Sequence, residues 1–273
     1  MKLFKSLCKY AIAAMIAVIS LLPFYILLLI SLNSPASMVS GTMGLIPSLY
    51  FDNYLQAWRI SKIGAAMLNS VIITAGAMVI VVLFSSSAGY AIARFKNRLN
   101  TLIFNILLLC MMIPGIINTV PLYALMKNIG GINTHWAMVL VCATNALPFS
   151  VFLYTGFIKS ISCEVEESAI MDGCTWFSAF WRITFHFIKP ATAAVIILNG
   201  LGIWNNYAQA VFFLQSQKMR TLPLAVAMFF QQYGAKWNLM AAAAVIGVLP
   251  AVLAFLVFQK YFIKGIAAGA VKG

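Results

Sequence analysis

SCEVEESAIMDGCTWFSAFWRITFHFIKPA, residues 162–191, holds four of the five carboxylates in the chain: Glu164, Glu166, Glu167 and Asp172. Outside this stretch the protein is almost free of acid. Ser162 can cap a helix whose first turn holds Glu164, where acid favours the positive end of the helix dipole. Gly173 permits a sharp turn. Beyond it Trp176, Phe177, Phe180, Trp181 and Ile183 recur at helical spacing as an apolar stripe. The stretch therefore reads as two short helices joined at Asp172-Gly173, with one face for burial and the first helix and turn presented outward. A plain solvated loop is the competing reading, and composition does not separate the two.

The segments on either side settle the fold class. Hydrophobic residues make up 63% of the 273-residue chain and charged residues only 8%; mean hydropathy is +0.97. A soluble domain carries roughly 25% charged residues, so the chain reads as an integral membrane protein. Six segments are long and apolar enough for helices that cross a bilayer: about 10–32, 66–93, 101–126, 136–158, 190–214 and 240–263. Strands are excluded because the runs are continuously apolar rather than alternating. The expected fold is an all-α polytopic membrane protein with six transmembrane helices across 10–263. The acidic loop, 160–190, lies between helices four and five.

Net charge is +13, which in a soluble protein would suggest nucleic acid. Here the basic residues flank apolar runs, so topology accounts for them and no nucleic-acid partner is expected. With the N-terminus, 1–9, in the cytoplasm, the inner set is Lys2, Lys5, Lys9, Arg94, Lys96, Arg98, Lys159, Arg182, Lys189, Lys260, Lys264 and Lys272. The outer set is Arg59, Lys62, Lys127, Lys218, Arg220 and Lys236, in external loops at about 33–65, 127–135 and 215–239. That asymmetry puts the acidic loop and the tail, 264–273, on the cytoplasmic side. The first apolar run is too long for a cleaved signal segment and is expected to remain as a helix.

Other chemistry is sparse. The cysteines, Cys8, Cys110, Cys142, Cys163 and Cys174, have no metal or redox spacing and are expected as free thiols. His135 and His186 are far apart and read as interfacial polar residues. No GxxxxGK[ST] run and no catalytic or zinc signature occurs, so no enzyme activity, metal or cofactor is expected in this chain. The spans also lack the buried charges of an ion-driven carrier, which points to an energy source outside the bilayer. Pro23, Pro114, Pro121, Pro148 and Pro250 fall inside spans, and each is expected to bend its helix. Span five is the most polar, with Asn199, Trp204, Asn205, Asn206, Tyr207 and Gln209. Amides beside aromatic rings suit a sugar passing through; they equally suit hydrogen bonding between packed helices.

The acidic loop resembles the signature loop of ABC importer permeases: EAA, two residues, DGA, then F, I and proline. It runs here as Glu167-Ser168-Ala169, Asp172-Gly173-Cys174, Phe180, Ile183 and Pro190, with Ser168 and Cys174 in place of alanine and His186 in place of a first proline. Over nearly the whole chain it is similar to the smaller permease of the maltose type in the carbohydrate-uptake group. The similarity rests on SLNSP after span one, Asn53-Tyr54 with Trp58, and Leu68-Asn69-Ser70. It continues through Gly89-Tyr90-Ala91 with Arg94-Phe95, Met112-Ile113-Pro114, Pro121-Leu122-Tyr123 and Leu147-Pro148-Phe149. It ends with Trp204-Asn205, Thr221-Leu222-Pro223 and the GAVKG tail. Asn206 departs from the family, where an acidic residue often follows Trp-Asn.

The resemblance implies a permease of the bacterial cytoplasmic membrane that pairs with a second permease as a heterodimer. It implies two ATPase subunits beneath, which bind the ATP and Mg, and an extracytoplasmic binding protein above. It also implies that Glu164, Glu166, Glu167, Ala169, Asp172, Gly173 and Cys174 engage an ATPase subunit. Lys272 and its neighbours in the tail would lie near that interface. Asn199, Trp204, Asn205, Asn206 and Tyr207 are the candidate translocation path for a sugar or oligosaccharide. A non-sugar solute such as a phosphodiester, polyol or peptide is the alternative cargo. A membrane-embedded assembly subunit is the alternative function.

Overall fold

A computed structural model describes residues 2–39, 48–231 and 236–270, and among these it is helical with no strand. In chain order the helices are α1 (Lys2–Ser31), α2 (Pro35–Val39), α3 (Asp52–Ile60), α4 (Ile63–Arg94), α5 (Arg98–Met112), α6 (Thr119–Asn128) and α7 (His135–Lys159). They continue with α8 (Glu164–Met171), α9 (Trp176–Ala179), a π-helical turn (Phe180–Thr184), α10 (Phe185–Phe187), α11 (Lys189–Trp204) and α12 (Ala210–Phe213). A 3₁₀ turn (Gln217–Met219), α13 (Leu222–Gln231) and α14 (Trp237–Ala270) complete the order. Lys9–Ser31, Ile63–Arg94, His135–Lys159 and Trp237–Val257 are each long and apolar enough to cross a membrane. A fifth crossing is reached if Trp176–Phe187 and Lys189–Trp204, bent by 73° at their junction, count as one.

The sequence reading of six unbroken spans needs correction in two places. The expected span 101–126 is two helices, α5 and α6, separated by 113–118. The residue before a proline is pushed out of the α region, and Ile113, before Pro114, is extended at ψ 119°. Pro121 sits in the first turn of α6, where a missing N–H costs nothing. The expected span 190–214 stops at Trp204 and resumes only as the short α12. Pro23, Pro148 and Pro250 lie inside continuous helices instead of breaking them. Of the expected tail, α14 carries the backbone to Ala270, and 271–273 lie outside the described residues, as do parts of two expected loops, 40–47 and 232–235.

The chain divides into two compact units. The first, 1–65 with 224–249, is organised by one buried amide. Asn53 is fully buried; its Nδ2 donates to the carbonyls of Ser31 and Asn33 at 2.8 Å each, and its Oδ1 accepts from Asn238 Nδ2 at 2.7 Å. Ser31 and Tyr54 share a hydroxyl–hydroxyl bond of 2.7 Å. From Lys9 to Ile26 every side chain of α1 is exposed. An apolar helix open around its whole circumference belongs in lipid or against another subunit.

The second unit, 66–223 with 250–273, is built around α7, which buries eleven residues including Met138, Val141, Tyr154 and Ile158. α7 is zipped to α11 by two polar contacts. Tyr154 donates its hydroxyl to Thr192 Oγ1 at 3.0 Å, and Asn199 Nδ2 donates to Ser150 Oγ at 3.1 Å. α4 approaches α7 at Gly89, where a Cβ would lie 2.7 Å from Tyr154 Cβ and 3.1 Å from the Thr155 nitrogen. Glycine is required here by the close approach of two backbones. The approach matters because the last turn of α4, beyond Gly89, meets the acidic loop.

Candidate functional site

α8 is an eight-residue helix with all three glutamates in its first turn, where their charge complements the dipole. The cap position is Cys163, which makes no side-chain cap bond; Ser162, expected as the cap, lies one residue earlier, where its Oγ accepts from the Glu164 N–H at 3.3 Å. The helix closes with a Schellman motif. The Gly173 N–H donates to the Ile170 carbonyl at 2.9 Å and the Cys174 N–H to the Ala169 carbonyl at 3.0 Å. Gly173 takes φ +89°, a left-handed conformation that a side chain disfavours. α9 then starts at Trp176, with Thr175 Oγ1 accepting from the Ser178 N–H.

The two faces of α8 differ in kind. Glu164, Glu167, Ser168, Asp172 and Gly173 are exposed. So are Met171, at 87%, and Phe177, at 75%. The outer face therefore sets an acidic edge beside two bare apolar side chains. Cys163 is exposed and Cys174 half-buried, both free thiols. Ala169 is buried against the rest of the unit.

Glu166, expected with the outward-facing acids, points inward and is only 2% exposed. Arg94, from the last turn of α4, grips it with two bonds: Nε to Oε2 at 2.8 Å and Nη2 to Oε1 at 2.9 Å. Tyr90 donates its hydroxyl to Oε2 at 3.3 Å, and Thr184, at the end of the π-helical turn, donates to Oε1 at 2.9 Å. Arg94 Nη2 also donates to the Ile161 carbonyl at 3.1 Å. A buried ion pair persists only when its remaining hydrogen-bonding capacity is met, and here both carboxylate oxygens accept two bonds each. Tyr90 and Arg94, quoted above within the family resemblance, and Thr184, not singled out from sequence, are the residues that hold Glu166 in place. The available signal was Tyr90 and Arg94 at i, i+4 on one helix face, just before an acidic loop.

Around this clamp lies an aromatic cluster. Tyr90 packs against Phe180 at 4.8 Å between ring centroids, and Phe95 meets Trp176 at 5.3 Å edge-on. Trp181 touches both Phe180 and Phe185. The expected stripe is thus only partly buried: Phe180 is inside, whereas Trp176 and Phe177 are exposed. α9 lasts four residues before the π-helical turn widens the repeat, so helical spacing does not hold across it.

The polar residues of the expected fifth span separate into two roles. Asn199 is tied to Ser150 and to the Val195 carbonyl, which is packing between helices. Asn206 Oδ1 accepts from the Gln209 N–H at 3.1 Å, and its Nδ2 donates to Gln209 Oε1 at 2.9 Å. Asn145 of α7, not anticipated from sequence, donates to the same Gln209 oxygen at 3.1 Å. Cys142 Sγ lies 3.7 Å from Asn206 Nδ2. Trp204 is half-buried, and Asn205 and Tyr207 are exposed. An irregular turn with exposed amides within a membrane segment is tolerated where it faces protein or a watery cavity. Asn145, Asn205, Tyr207 and Gln209 mark such a place.

A family model described as a binding-protein-dependent transport system inner membrane component matches residues 82–268. The melibiose/raffinose/stachyose import permease protein MelC of Bacillus subtilis is 39% identical over 264 residues, covering 96% of this chain and 95% of that protein. AmyC of Thermoanaerobacterium thermosulfurigenes, a probable permease for starch degradation products, is 33% identical, covering 97% of each chain. In fold, the chain is similar to a solved bacterial ABC transporter involved in import of the acidic polysaccharide alginate, with TM-score 0.81 and 21% identity over 94% of this chain and 96% of that one.

Proposed function

The chain belongs to the binding-protein-dependent transport system inner membrane components, and from that premise we propose that it is the permease subunit of an ATP-driven importer for a sugar or oligosaccharide. The chain forms half of the translocation path and pairs with a second permease. Two ATPase subunits, which bind ATP and Mg, dock on its cytoplasmic side, and an extracytoplasmic binding protein delivers cargo to the other. Both termini and the 160–190 loop face the cytoplasm of a bacterial cell. Cargo class follows MelC and AmyC, named for melibiose, raffinose and stachyose import and for transport of starch degradation products.

One observation carries the mechanism: α8 has an outer face free to meet a partner and an inner carboxylate locked to α4. A push on the outer face, at Glu164, Glu167, Met171 and Asp172, passes through Glu166 and Arg94 into a helix long enough to cross the membrane. The stroke needs a short rigid lever with few bonds to break, and the capped helix with its Gly173 turn supplies one. At the other site, the Asn145–Gln209–Asn206 amides with Asn205 and Tyr207 form the candidate path. Amides pair with sugar hydroxyls, and a ring stacks against C–H faces.

The test uses the whole importer reconstituted in vesicles, with cargo uptake and ATP hydrolysis measured together. Glu167→Lys puts a cation in the docking edge and is expected to leave hydrolysis running while uptake falls. Gly173→Pro, which forbids the left-handed turn, is expected to release the ATPase subunits. Full coupled uptake in both variants would refute the coupling role and favour the assembly-subunit reading.

A further inference from the structure

The start of α5 carries a polar feature that the transport mechanism does not use. Lys96, Asn97, Arg98, Thr101, Leu102 and Asn105 line an open groove of about 570 Å³. All six are exposed. Neither Lys96 nor Arg98 forms an ion pair among the described residues. Asn97 Oδ1 is occupied by the Asn100 N–H, and the NH₂ groups of Asn97 and Asn105 have no partner among the described residues. Arg98, Thr101 and Asn105 fall at i, i+3 and i+7, one face of the helix. Flanking this polar stripe, Leu99, Leu102, Ile106 and Leu109 are exposed. Lys159 lies outside the groove, beside the middle of α5, its Nζ 5.6 Å from the centre of the Phe104 ring.

We propose that this groove seats the headgroup of an anionic phospholipid, with one acyl chain laid along the apolar face of α5. Charge decides the class of ligand: unpaired cations at the end of membrane helices complement a phosphodiester. Depth decides between a lipid and a soluble anion. Asn105 lies about 10 Å along the axis from Arg98, deeper than the roughly 6 Å headgroup layer of one leaflet. At that depth the stripe is flanked by exposed Leu102, Ile106 and Leu109, which suit an acyl chain; a lipid has one and a free phosphate does not. The site lies at the same end of α4 as the Arg94–Glu166 clamp, joined to it by Phe95 and by Asn100, whose Nδ2 donates to the carbonyls of Ala91 and Phe95. The proposal needs only that the chain spans a bilayer, so it stands or falls apart from the coupling mechanism.

The test is native mass spectrometry of the intact importer, carrying its second permease and ATPase subunits, incubated with phosphatidylglycerol or phosphatidylcholine. The complex is expected to retain phosphatidylglycerol preferentially. Lys96→Gln with Arg98→Gln is expected to lower that retention roughly thirty-fold, at about fivefold per cation, without changing phosphatidylcholine. Lys127→Gln is expected to change nothing. Retention unaltered in the double variant, or displacement of the lipid by inorganic phosphate, would overturn the site. So would a photocrosslinker at position 102 that labels the second permease instead of lipid.

Discussion

Glu166 does a different job from its neighbours, and a change of about 100° around a helix is the reason. Glu164 and Glu167 look outward, whereas Glu166 accepts four bonds in the interior. Removing one partner of a buried ion pair strands the other and costs about 3–5 kcal/mol. Glu166→Ala is therefore expected to lower the thermal midpoint of the assembled complex, with Arg94→Ala giving a similar loss. The two losses are expected not to add, because both variants remove the same ion pair. Glu166→Arg combined with Arg94→Glu tests the charge pairing itself: partial recovery of uptake over either single variant is predicted. At the turn, Gly173→Ala keeps the backbone N–H groups of the Schellman motif and pays only the left-handed penalty of about 1 kcal/mol. Uptake by that variant is expected to fall modestly, in contrast to Gly173→Pro.

At the scale of elements, α4 joins two ends of one unit. Its C-terminal end holds the clamp. Near its other end, Asn69 Nδ2 donates to the carbonyls of Lys218 and Arg220, and its Oδ1 meets His135 Nε2 at 2.8 Å. Asn69 and Arg94 are 25 positions apart, about 38 Å of helix, which exceeds the roughly 30 Å hydrocarbon core. A rod of that length, pinned at both ends, transmits a displacement that a bent or broken helix would absorb. Asn69→Ala is predicted to weaken the stimulation of ATP hydrolysis by the cargo-loaded binding protein several-fold, while basal hydrolysis stays the same. Equal stimulation in wild type and variant would remove α4 from the route.

Much of this element layer was readable from sequence, with failures that have physical causes. α4, α7 and α14 follow from long apolar runs and need no partner to be recognised. The break at Ile113-Pro114 was equally available, since the pre-proline restriction is local, but a hydropathy window averages across it. The break at Asn205–Gln209 was not: side-chain amides end a helix only when tertiary contacts such as Asn145 to Gln209 favour the turn. The inward turn of Glu166 was hidden for the same reason. On an eight-residue helix two of three nearby acids can face out in several ways, and the choice rests on where Arg94 arrives from 72 residues upstream of Glu166.

For the whole molecule, the surface is the finding that matters. The bare α1 from Lys9 to Ile26 and the uncovered face of α5 fit a subunit embedded in lipid and assembled with others. Its fold is shared with a solved transporter at low identity, so geometry is retained where cargo contacts are free to differ. Under the proposed function, cargo contacts fall to a few exposed groups at the helix break. Asn205→Leu is predicted to cut uptake at least tenfold with the complex still intact on size-exclusion chromatography; parallel loss of both would assign Asn205 to packing.

The central claim is that α8 is the surface on which nucleotide-driven motion enters this chain. A photocrosslinking residue at Met171, the most exposed apolar side chain of that surface, tests it within the assembled importer in intact cells. The account predicts an adduct with an ATPase subunit, formed in the energised and the resting state alike. An adduct with the extracytoplasmic binding protein, or none with the ATPase, would contradict it.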